Sequence, residues 1–213
     1  MKDKERILII IERLEELYPS AECELGYQGE PWKLLVMARL SAQCTDKRVN
    51  IVSEPLFERF PTLEAMSEAE LHELEEIVKP CGLYKVKARN IIDSCRMVID
   101  KFGGKIPDNM EDLLKLPGVG RKIANLILGD VYRKPAIVTD THCIRISNKV
   151  GFCESENPLI VERILSGLVP PEKQSDFCHR LVWFGRDRCT ARSPKCDGCP
   201  LADMCQYSEQ TAE

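Results

Sequence analysis

The residues best suited to chemistry lie in one short segment and a little beyond it. Residues 116–122 read LPGVGRK, and Asp140 follows in the segment VTDTH. Glycines at the start of a helix leave backbone N–H groups open to an anion such as a phosphate, and the helix dipole adds to the attraction. Lys122 is an amine able to attack a sugar carbon, and Asp140 is a carboxylate able to take its proton. The sequence therefore predicts phosphate binding beside Schiff-base chemistry.

Each of these residues also fits a plainer structural role. Gly118 and Gly120, both expected at positive φ, also fit an ordinary turn between two helices. Lys122 also fits a solvated lysine that contacts phosphate as a point charge. Its place in a first helical turn beside Arg121 disfavours the cation, which favours a neutral amine. Asp140 also fits the N-cap of the helix after it, and the two roles are compatible.

Helices must position these groups. Residues 108–115 predict a short helix in which Leu113 and Leu114 face inward, and Pro117 ends it because proline has no N–H to donate. Residues 121–129 resume helical spacing. The result is a helix, a five-residue hairpin and a second helix.

Four cysteines near the C-terminus predict a metal centre. Cys189, Cys196, Cys199 and Cys205 have the spacing C-x6-C-x2-C-x5-C. Four such thiolates fit either zinc or a cubane iron–sulfur cluster. Only one short C-x2-C pair occurs, and the longer arcs around it favour the cluster over zinc, with disulfides a distant third. We expect the seven remaining cysteines to be small buried hydrophobic residues in a reducing compartment.

The charge of the chain is uneven along its length. The formal net charge is −4, but residues 1–80 carry −7, residues 81–150 carry +6 and residues 151–213 carry −3. The basic excess coincides with the hairpin segment, which suits local phosphate binding. Because the whole chain is acidic, we expect its non-specific affinity for nucleic acid to be weak. No apolar run approaches the length of a membrane span, so we expect no membrane partner.

Helical periodicity runs through nearly the whole chain, and strand signals are absent, which predicts an all-α fold. The expected helices cover residues 3–17, 31–41, 46–59, 68–78, 84–102, 109–115, 121–130, 141–150, 157–167 and 172–185.

Several motifs together carry a family resemblance. LSAQCTDKRVN (40–50), GLYKVKARNI (82–91) and LPGVGRKIAN (116–125) precede VTDTH and the cysteine run. In this order they resemble the endonuclease III family, the iron–sulfur branch of the helix-hairpin-helix DNA glycosylases with abasic-site lyase activity. The resemblance extends from about Arg6 to about Tyr207. Cys44, Ile123 and Cys143 depart from the residues expected there, as substitutions of a buried type.

The resemblance implies a helix-hairpin-helix DNA glycosylase fold with two helical domains and a DNA cleft between them. Residues 22–133 would form a helical-barrel domain, with the helix-hairpin-helix at about 108–130. Residues 1–21 and 134–213 would form the iron–sulfur cluster domain.

The resemblance also implies roles for individual residues. Lys122 would attack C1′ of the damaged nucleotide, and Asp140 would assist that attack and the β-elimination after it. Gln43 and Leu83 would enter the duplex when the target nucleotide is flipped out. The four cysteines would hold a [4Fe-4S] cluster. The remaining DNA contacts would fall to Leu116, Gly118, Val119, Gly120, Arg121, Arg192 and Lys195.

Three of these positions have structural alternatives that the residues alone leave open. Leu83 also fits a core leucine at a helix start. Gln43 also fits a polar residue at a helix end. Asp46 fits the cap of a helix that begins at Lys47 better than a residue of the base pocket.

The expected function is a bifunctional DNA glycosylase and abasic-site lyase of base excision repair that removes oxidised pyrimidines, such as thymine glycol, from duplex DNA. The alternatives are a glycosylase of the same scaffold for a mismatched base, a pyrimidine dimer or an alkylated base, and a non-enzymatic protein that binds DNA structure. We expect a monomer in a reducing cytoplasm, associated with the nucleoid.

Overall fold

A computed structural model describes residues 2–207, and all regular structure in that range is helical. No strand occurs between residues 2 and 207, so the all-α class predicted from periodicity is confirmed. Short 3₁₀ turns occur at Lys79–Cys81, Pro171–Lys173 and Ala202–Met204. The α-helices are α1 (Asp3–Leu17), α2 (Pro31–Leu40), α3 (Asp46–Arg59), α4 (Leu63–Ser67), α5 (Leu71–Val78), α6 (Tyr84–Phe102), α7 (Met110–Leu113), α8 (Arg121–Asp130), α9 (Thr141–Val150), α10 (Pro158–Leu168) and α11 (Gln174–Asp187).

The chain divides into two compact units. One unit is Cys23–Tyr132 and contains α2 to α8. The other joins Met1–Glu22 to Arg133–Glu213 and contains α1 together with α9, α10 and α11. The N-terminal helix therefore packs with helices that lie more than a hundred residues later in the chain.

The longest helix, α6, forms the centre of the Cys23–Tyr132 unit. Its buried side chains include Ala88, Ile91, Cys95 and Val98, which recur at three- and four-residue spacing and so form one apolar face. That face packs against α2, α4 and α5. The helix ends where Gly103 takes a left-handed conformation, φ 61°, and donates its N–H to the carbonyl of Val98.

The helix-hairpin-helix lies at the C-terminal end of the same unit. Asn109 caps α7, because its side chain accepts a hydrogen bond of 2.9 Å from the backbone N–H of Asp112. After the hairpin, α8 buries Ala124, Ile127 and Leu128 and packs against α2 and α7. The start of α8 is thus fixed by the apolar face of its own later turns.

In the other unit, α1 is amphipathic and packs against α10 and α11. Its buried residues are Ile7, Ile10, Ile11 and Leu14. On the C-terminal side, α9 packs against α11 and ends at Gly151, which is left-handed at φ 89°. Helix α9 is the element that carries Asp140 at its N-terminus, and the apolar face of Cys143, Ile146 and Val150 fixes its position.

The region predicted as one helix at 68–78 differs in the structure. Helix α5 begins at Leu71, and a separate short helix, α4, precedes it, because two polar N-caps each begin a new helix. Thr62 Oγ1 accepts from Ala65 N at 3.1 Å, and Glu70 Oε2 accepts from Glu73 N at 2.8 Å. The short α4 was missed since five residues give too little periodicity to detect.

Two further boundaries were wrong. Helix α7 ends at Leu113 rather than at 115, and Leu114 is 40% exposed, so only Leu113 faces inward. The predicted helix at 172–185 begins instead as the 3₁₀ turn Pro171–Lys173, after which α11 continues to Asp187.

Candidate active site and DNA interface

Apolar side chains of the hairpin hold it to the core of its unit. Leu116 and Val119 are only 2% and 7% exposed, so any contact that they make with DNA falls to their backbone atoms. Val119 N donates to Leu116 O at 3.0 Å, which closes the turn. Ser94 Oγ on α6 donates to Pro117 O at 2.7 Å. The hairpin is therefore anchored by two buried side chains and one hydrogen bond from α6.

The two hairpin glycines differ in conformation. Gly118 is left-handed at φ 76°, as predicted, but Gly120 lies at φ −98°, and the prediction of positive φ was wrong there. A Cβ on Gly118 would lie 2.5 Å from Arg39 Nε and from the Asn90 amide, whereas a Cβ on Gly120 would meet nothing within 4 Å. Gly118 is thus required by the protein's own packing, and Gly120 leaves open space at the helix start.

Lys122 is exposed in the first turn of α8. Gly120 is the N-cap of this helix, and no side chain caps it, so its first N–H groups are not taken up by a capping oxygen. An anion is the natural partner for such a helix start. Lys122 and this uncapped helix start therefore lie within one helical turn of each other.

Asp140 is the N-cap of α9, as one of its two predicted roles requires. Its Oδ1 accepts from Cys143 N at 2.7 Å, and its side chain is partly exposed. The cap orients the carboxylate by a bond to rigid backbone, which fixes one oxygen. The structural role and a chemical role remain compatible.

Gln43 and Leu83 share an unusual backbone state. Both are exposed non-glycine residues in the left-handed region, at φ 56° and φ 50°. Leu83 is the N-cap of α6 and is 57% exposed, so the alternative of a core leucine is excluded. Non-glycine residues rarely adopt this conformation, and where they do it often serves a functional loop.

Two smaller predictions need correction. Thr45 rather than Asp46 caps α3, because Thr45 Oγ1 accepts from Arg48 N at 3.4 Å and Asp46 is already the first helical residue. Cys23 and Cys44 are only partly buried, although the other five cysteines outside the C-terminal run are buried as expected. Both differences arise from loop positions that periodicity does not describe.

The four C-terminal cysteines line one cavity, together with residues of α9 and α11. None of them forms a disulfide. Burial raises the pKa of the Cys189 and Cys199 thiols, while Lys149 and Arg145 lower that of Cys189.

The donor set of this site is four thiols, the ligands that an iron–sulfur cluster takes. The cysteines surround a common space, and Arg145 donates to Cys189 O at 2.7 Å at its edge. Cys189, Cys196, Cys199 and Cys205 would therefore hold an iron–sulfur cluster, whose thiolate ligands this donor set provides.

Arg192 and Lys195 are both exposed on the segment between the first two of these cysteines. Lys195 Nζ lies 3.8 Å from Asp187 Oδ1, and its backbone N donates to Arg188 O at 3.0 Å. Arg192 is the less constrained cation of the two.

Three residues near the hairpin and the loops were missed at the level of sequence. Arg39 and Asn90 pack beneath Gly118, where the Asn90 amide oxygen accepts from the Arg39 guanidinium at 3.0 and 3.2 Å. Burial lowers the pKa of Arg39. Lys87 is fully buried between two loops. Lys87 and Asn90 stand in the quoted segment GLYKVKARNI, so the signal was present without an assigned role.

Within residues 2–207, no helix combines the length and the apolar character that crossing a membrane requires.

Two family models match the chain. The model of the HhH-GPD superfamily base excision DNA repair protein matches residues 36–171, which include the hairpin, Lys122 and Asp140. The model of the iron-sulfur binding domain of endonuclease III matches residues 189–205, the span of the four cysteines. The chain therefore carries a [4Fe-4S] cluster as its resident cofactor.

Full-length relatives agree with these models. The chain is 42% identical to endonuclease III of Synechocystis sp. over 97% of this chain and 94% of that protein. It is 40% identical to endonuclease III of Bacillus subtilis over 99% and 96% of the two chains.

The chain is also similar to a solved structure of a trapped endonuclease III–DNA covalent intermediate, with a TM-score of 0.93 and 41% identity over all of both chains. Identity at this level over the full length shows the family as well as the fold. The chain belongs to the endonuclease III family, the iron–sulfur helix-hairpin-helix DNA glycosylases with abasic-site lyase activity that act in base excision repair.

Proposed function

We propose that this protein removes oxidised pyrimidines, such as thymine glycol, from duplex DNA and then cleaves the strand, with Lys122 as its nucleophile. The observation that carries the proposal is an exposed amine in the first turn of α8, two residues after the open position at Gly120. A lysine amine is a nucleophile able to form a Schiff base with a sugar carbon.

The reaction begins when the Lys122 Nζ lone pair forms a bond to C1′ of the damaged nucleotide. The glycosidic bond breaks, and the base leaves with the bonding electron pair and a proton. Opening of the sugar ring gives an imine between Nζ and C1′. Loss of a proton from C2′ then expels the 3′ phosphate, and water releases the enzyme from the product.

Asp140 is the proposed partner of this lysine. A carboxylate accepts the amine proton or stabilises the cationic transition state. The hydrogen bond from Cys143 N holds the Asp140 carboxylate in one orientation, which suits a group that must act in a fixed geometry.

DNA is held by backbone and by side chains in this proposal. The N–H groups after Gly118 and Gly120 would bind a phosphate, with backbone atoms of Leu116 and Val119 beside them. Arg121 would add charge to that contact, and Gln43 and Leu83 would enter the duplex. We also assign Arg192 and Lys195 to the backbone contacts of the cluster segment, and residues 22–133 and 1–21 with 134–213 to the helical-barrel and cluster domains.

Replacement of Lys122 tests the proposal directly. An imine can be reduced by borohydride, so the unaltered protein should become covalently linked to DNA that contains an abasic site. Lys122→Gln should abolish both this adduct and strand nicking, because glutamine has no nucleophilic amine. The adduct is measured by denaturing gel electrophoresis of labelled DNA.

Lys105→Gln is the matched control, since Lys105 is an exposed lysine of the same unit. It should trap and nick at the rate of the unaltered protein. An adduct that forms at that same rate with Lys122→Gln would identify another amine as the nucleophile, and the role assigned to Lys122 would be wrong.

The damaged base is tested separately with a panel of duplexes, each with one lesion. We expect fast release from thymine glycol and slow release from mismatched, dimeric and alkylated bases. Preference for one of those others would leave the lysine chemistry intact and change the substrate.

We also place the protein at DNA in a reducing compartment. Its eleven cysteines carry no disulfide, and the cluster needs its four thiolates reduced. Purification under reducing conditions should retain the iron, and prolonged exposure to an oxidant should release it.

A further inference from the structure

A buried lysine without a carboxylate partner lies beneath the exposed loops of the Cys23–Tyr132 unit. The Lys87 side chain has no exposed surface. Its Nζ donates to Leu40 O at 2.9 Å and to Cys81 O at 2.7 Å. Within residues 2–207 no Asp or Glu forms an ion pair with it. The ammonium group is therefore satisfied by two backbone carbonyls.

The burial of this ammonium group costs free energy, so its presence needs an explanation. Removal of an ammonium from water disfavours its charged form, and burial accordingly lowers the pKa of Lys87. An apolar side chain of similar length would fill the same space without that penalty. The contacts that the charge makes must therefore explain what the residue does.

Both carbonyls end a helical segment. Leu40 is the last residue of α2, and Cys81 is the last residue of the 3₁₀ turn Lys79–Cys81. Carbonyls at a helix C-terminus lack intrahelical partners and carry the negative end of the dipole. A cation that binds two such carbonyls fixes the ends of both segments with respect to each other.

The residues that follow these two carbonyls are the proposed duplex-entering residues. Gln43 stands three residues after Leu40, and Leu83 stands two residues after Cys81. Both are exposed and left-handed. A non-glycine residue keeps that conformation only when its surroundings restrain it. Lys87 supplies one restraint to both loops at once.

We propose that Lys87 is a positioning residue for base flipping, which clamps the loops of Gln43 and Leu83 so that the two side chains enter the duplex together. The proposal rests on the proposed function, since it assumes that these two side chains displace the target nucleotide. Lys87 touches no substrate itself. It acts through the backbone of the two loops that carry Gln43 and Leu83.

The test compares Lys87→Met with Lys85→Met in the full-length protein with its cluster. Methionine keeps most of the length and removes the charge and both hydrogen bonds. Lys85 is an exposed lysine on the same helix, so its replacement removes the same charge without the clamp. Two substrates separate flipping from chemistry: a duplex with thymine glycol opposite adenine, and a single-stranded oligonucleotide with an abasic site.

We expect Lys87→Met to slow release from the duplex lesion by about 10-fold or more, because small misplacement of positioning groups has large effects on rate. Borohydride trapping on the single strand, which needs no wedge, should stay at the rate of the unaltered protein. The fluorescence of 2-aminopurine placed beside the lesion should rise on binding of the unaltered protein and of Lys85→Met, and should stay low with Lys87→Met.

Equal loss on both substrates would indicate a general structural role, and equal rates on the duplex would show that no clamp is needed; either overturns the proposal. Failure of the unaltered protein to trap a duplex with an abasic site would instead contradict the role of Lys122. If Lys87→Met does not fold, native-state hydrogen exchange of the unaltered protein decides. Amides of residues 42–44 and 82–84 should exchange in one opening event, and independent openings would exclude the clamp.

Discussion

At the scale of single residues, the two hairpin glycines are needed for different reasons, one for its backbone conformation and one for the space that it leaves. Gly118 is held at positive φ above the Arg39 and Asn90 side chains, whereas Gly120 has an ordinary φ and open space where a side chain would be. The first glycine is needed for the fold of the hairpin. The second leaves room for a ligand to approach the start of α8.

This difference yields a paired prediction. Gly118→Ala should lower the free energy of unfolding by about 1–2 kcal/mol for the left-handed backbone alone, with a further loss as Arg39 and Asn90 shift. Gly120→Val should lower the unfolding midpoint only slightly, as valine is a poorer N-cap, but should weaken binding to abasic-site DNA, because its branched side chain covers the amides. Urea unfolding and a binding titration measure the two effects. Normal binding by Gly120→Val would show that the hairpin is only a turn.

Asp140 allows its cap and its charge to be separated. Asp140→Asn keeps an oxygen for the bond from Cys143 N, so stability should hold while turnover falls by about 10²-fold, the usual size of a lost acid–base or electrostatic role. Asp140→Ala should lose the same activity and also about 1 kcal/mol of stability through the missing cap. Single-turnover rates and urea unfolding check this. Full activity of Asp140→Asn would limit the residue to its capping role.

At the scale of elements, local signals defined most of the helices correctly. Helices α8 and α9 begin and end where their glycines, caps and apolar spacing indicate, and the four-cysteine run predicted the cluster. The family motifs supplied the function. These features share one property, which is that the information lies within about ten neighbouring residues.

The features that escaped prediction depend on tertiary contacts. Lys87 looks like any other helical lysine until α2 and the 3₁₀ turn are folded around it. The packing of Arg39 and Asn90 under Gly118 joins three elements far apart in the chain. Asp46 is a better cap than Thr45 on propensity, yet the backbone of the folded chain makes Thr45 the cap. Roles set by distant neighbours require the structure.

The cluster segment is an element whose stability should depend on its cofactor. It has little regular structure, and the cysteines line a cavity of their own. Cys199→Ala should therefore lower the iron content from about four per chain and reduce the visible absorption, with weaker DNA binding. Formation of the trapped adduct at saturating DNA should fall much less, since the cluster stabilises its segment and takes no part in the chemistry. A colourless protein with one zinc ion would contradict the cofactor.

At the scale of the whole molecule, charge is distributed to favour selective binding. A net charge of −4 repels DNA in general, while residues 81–150 carry +6. Long-range attraction is thus small, and affinity must come from short-range contacts at a lesion. Such a protein should bind intact DNA weakly and leave it quickly.

Salt dependence should reveal which cations contact phosphate. Each phosphate contact adds about 0.9 to the slope of log affinity against log salt, so Arg192→Gln should reduce that slope by about one. Lys195→Gln should reduce it by less, because Lys195 already lies 3.8 Å from Asp187. Affinities measured at several salt concentrations give both values. An unchanged slope for Arg192→Gln would remove this residue from the interface.

The complete burial of Lys87 has a practical consequence for chemical labelling. Reagents that acylate primary amines need a neutral, accessible amine, and this one is enclosed by backbone. Its modification must await a local opening of the start of α6, so the labelling rate of this one residue reports how often that opening occurs. Exposed lysines such as Lys85 would react without delay and provide an internal reference for the reaction rate. Mass spectrometry of a timed reaction would thus measure how often these loops open, without any substitution in the chain.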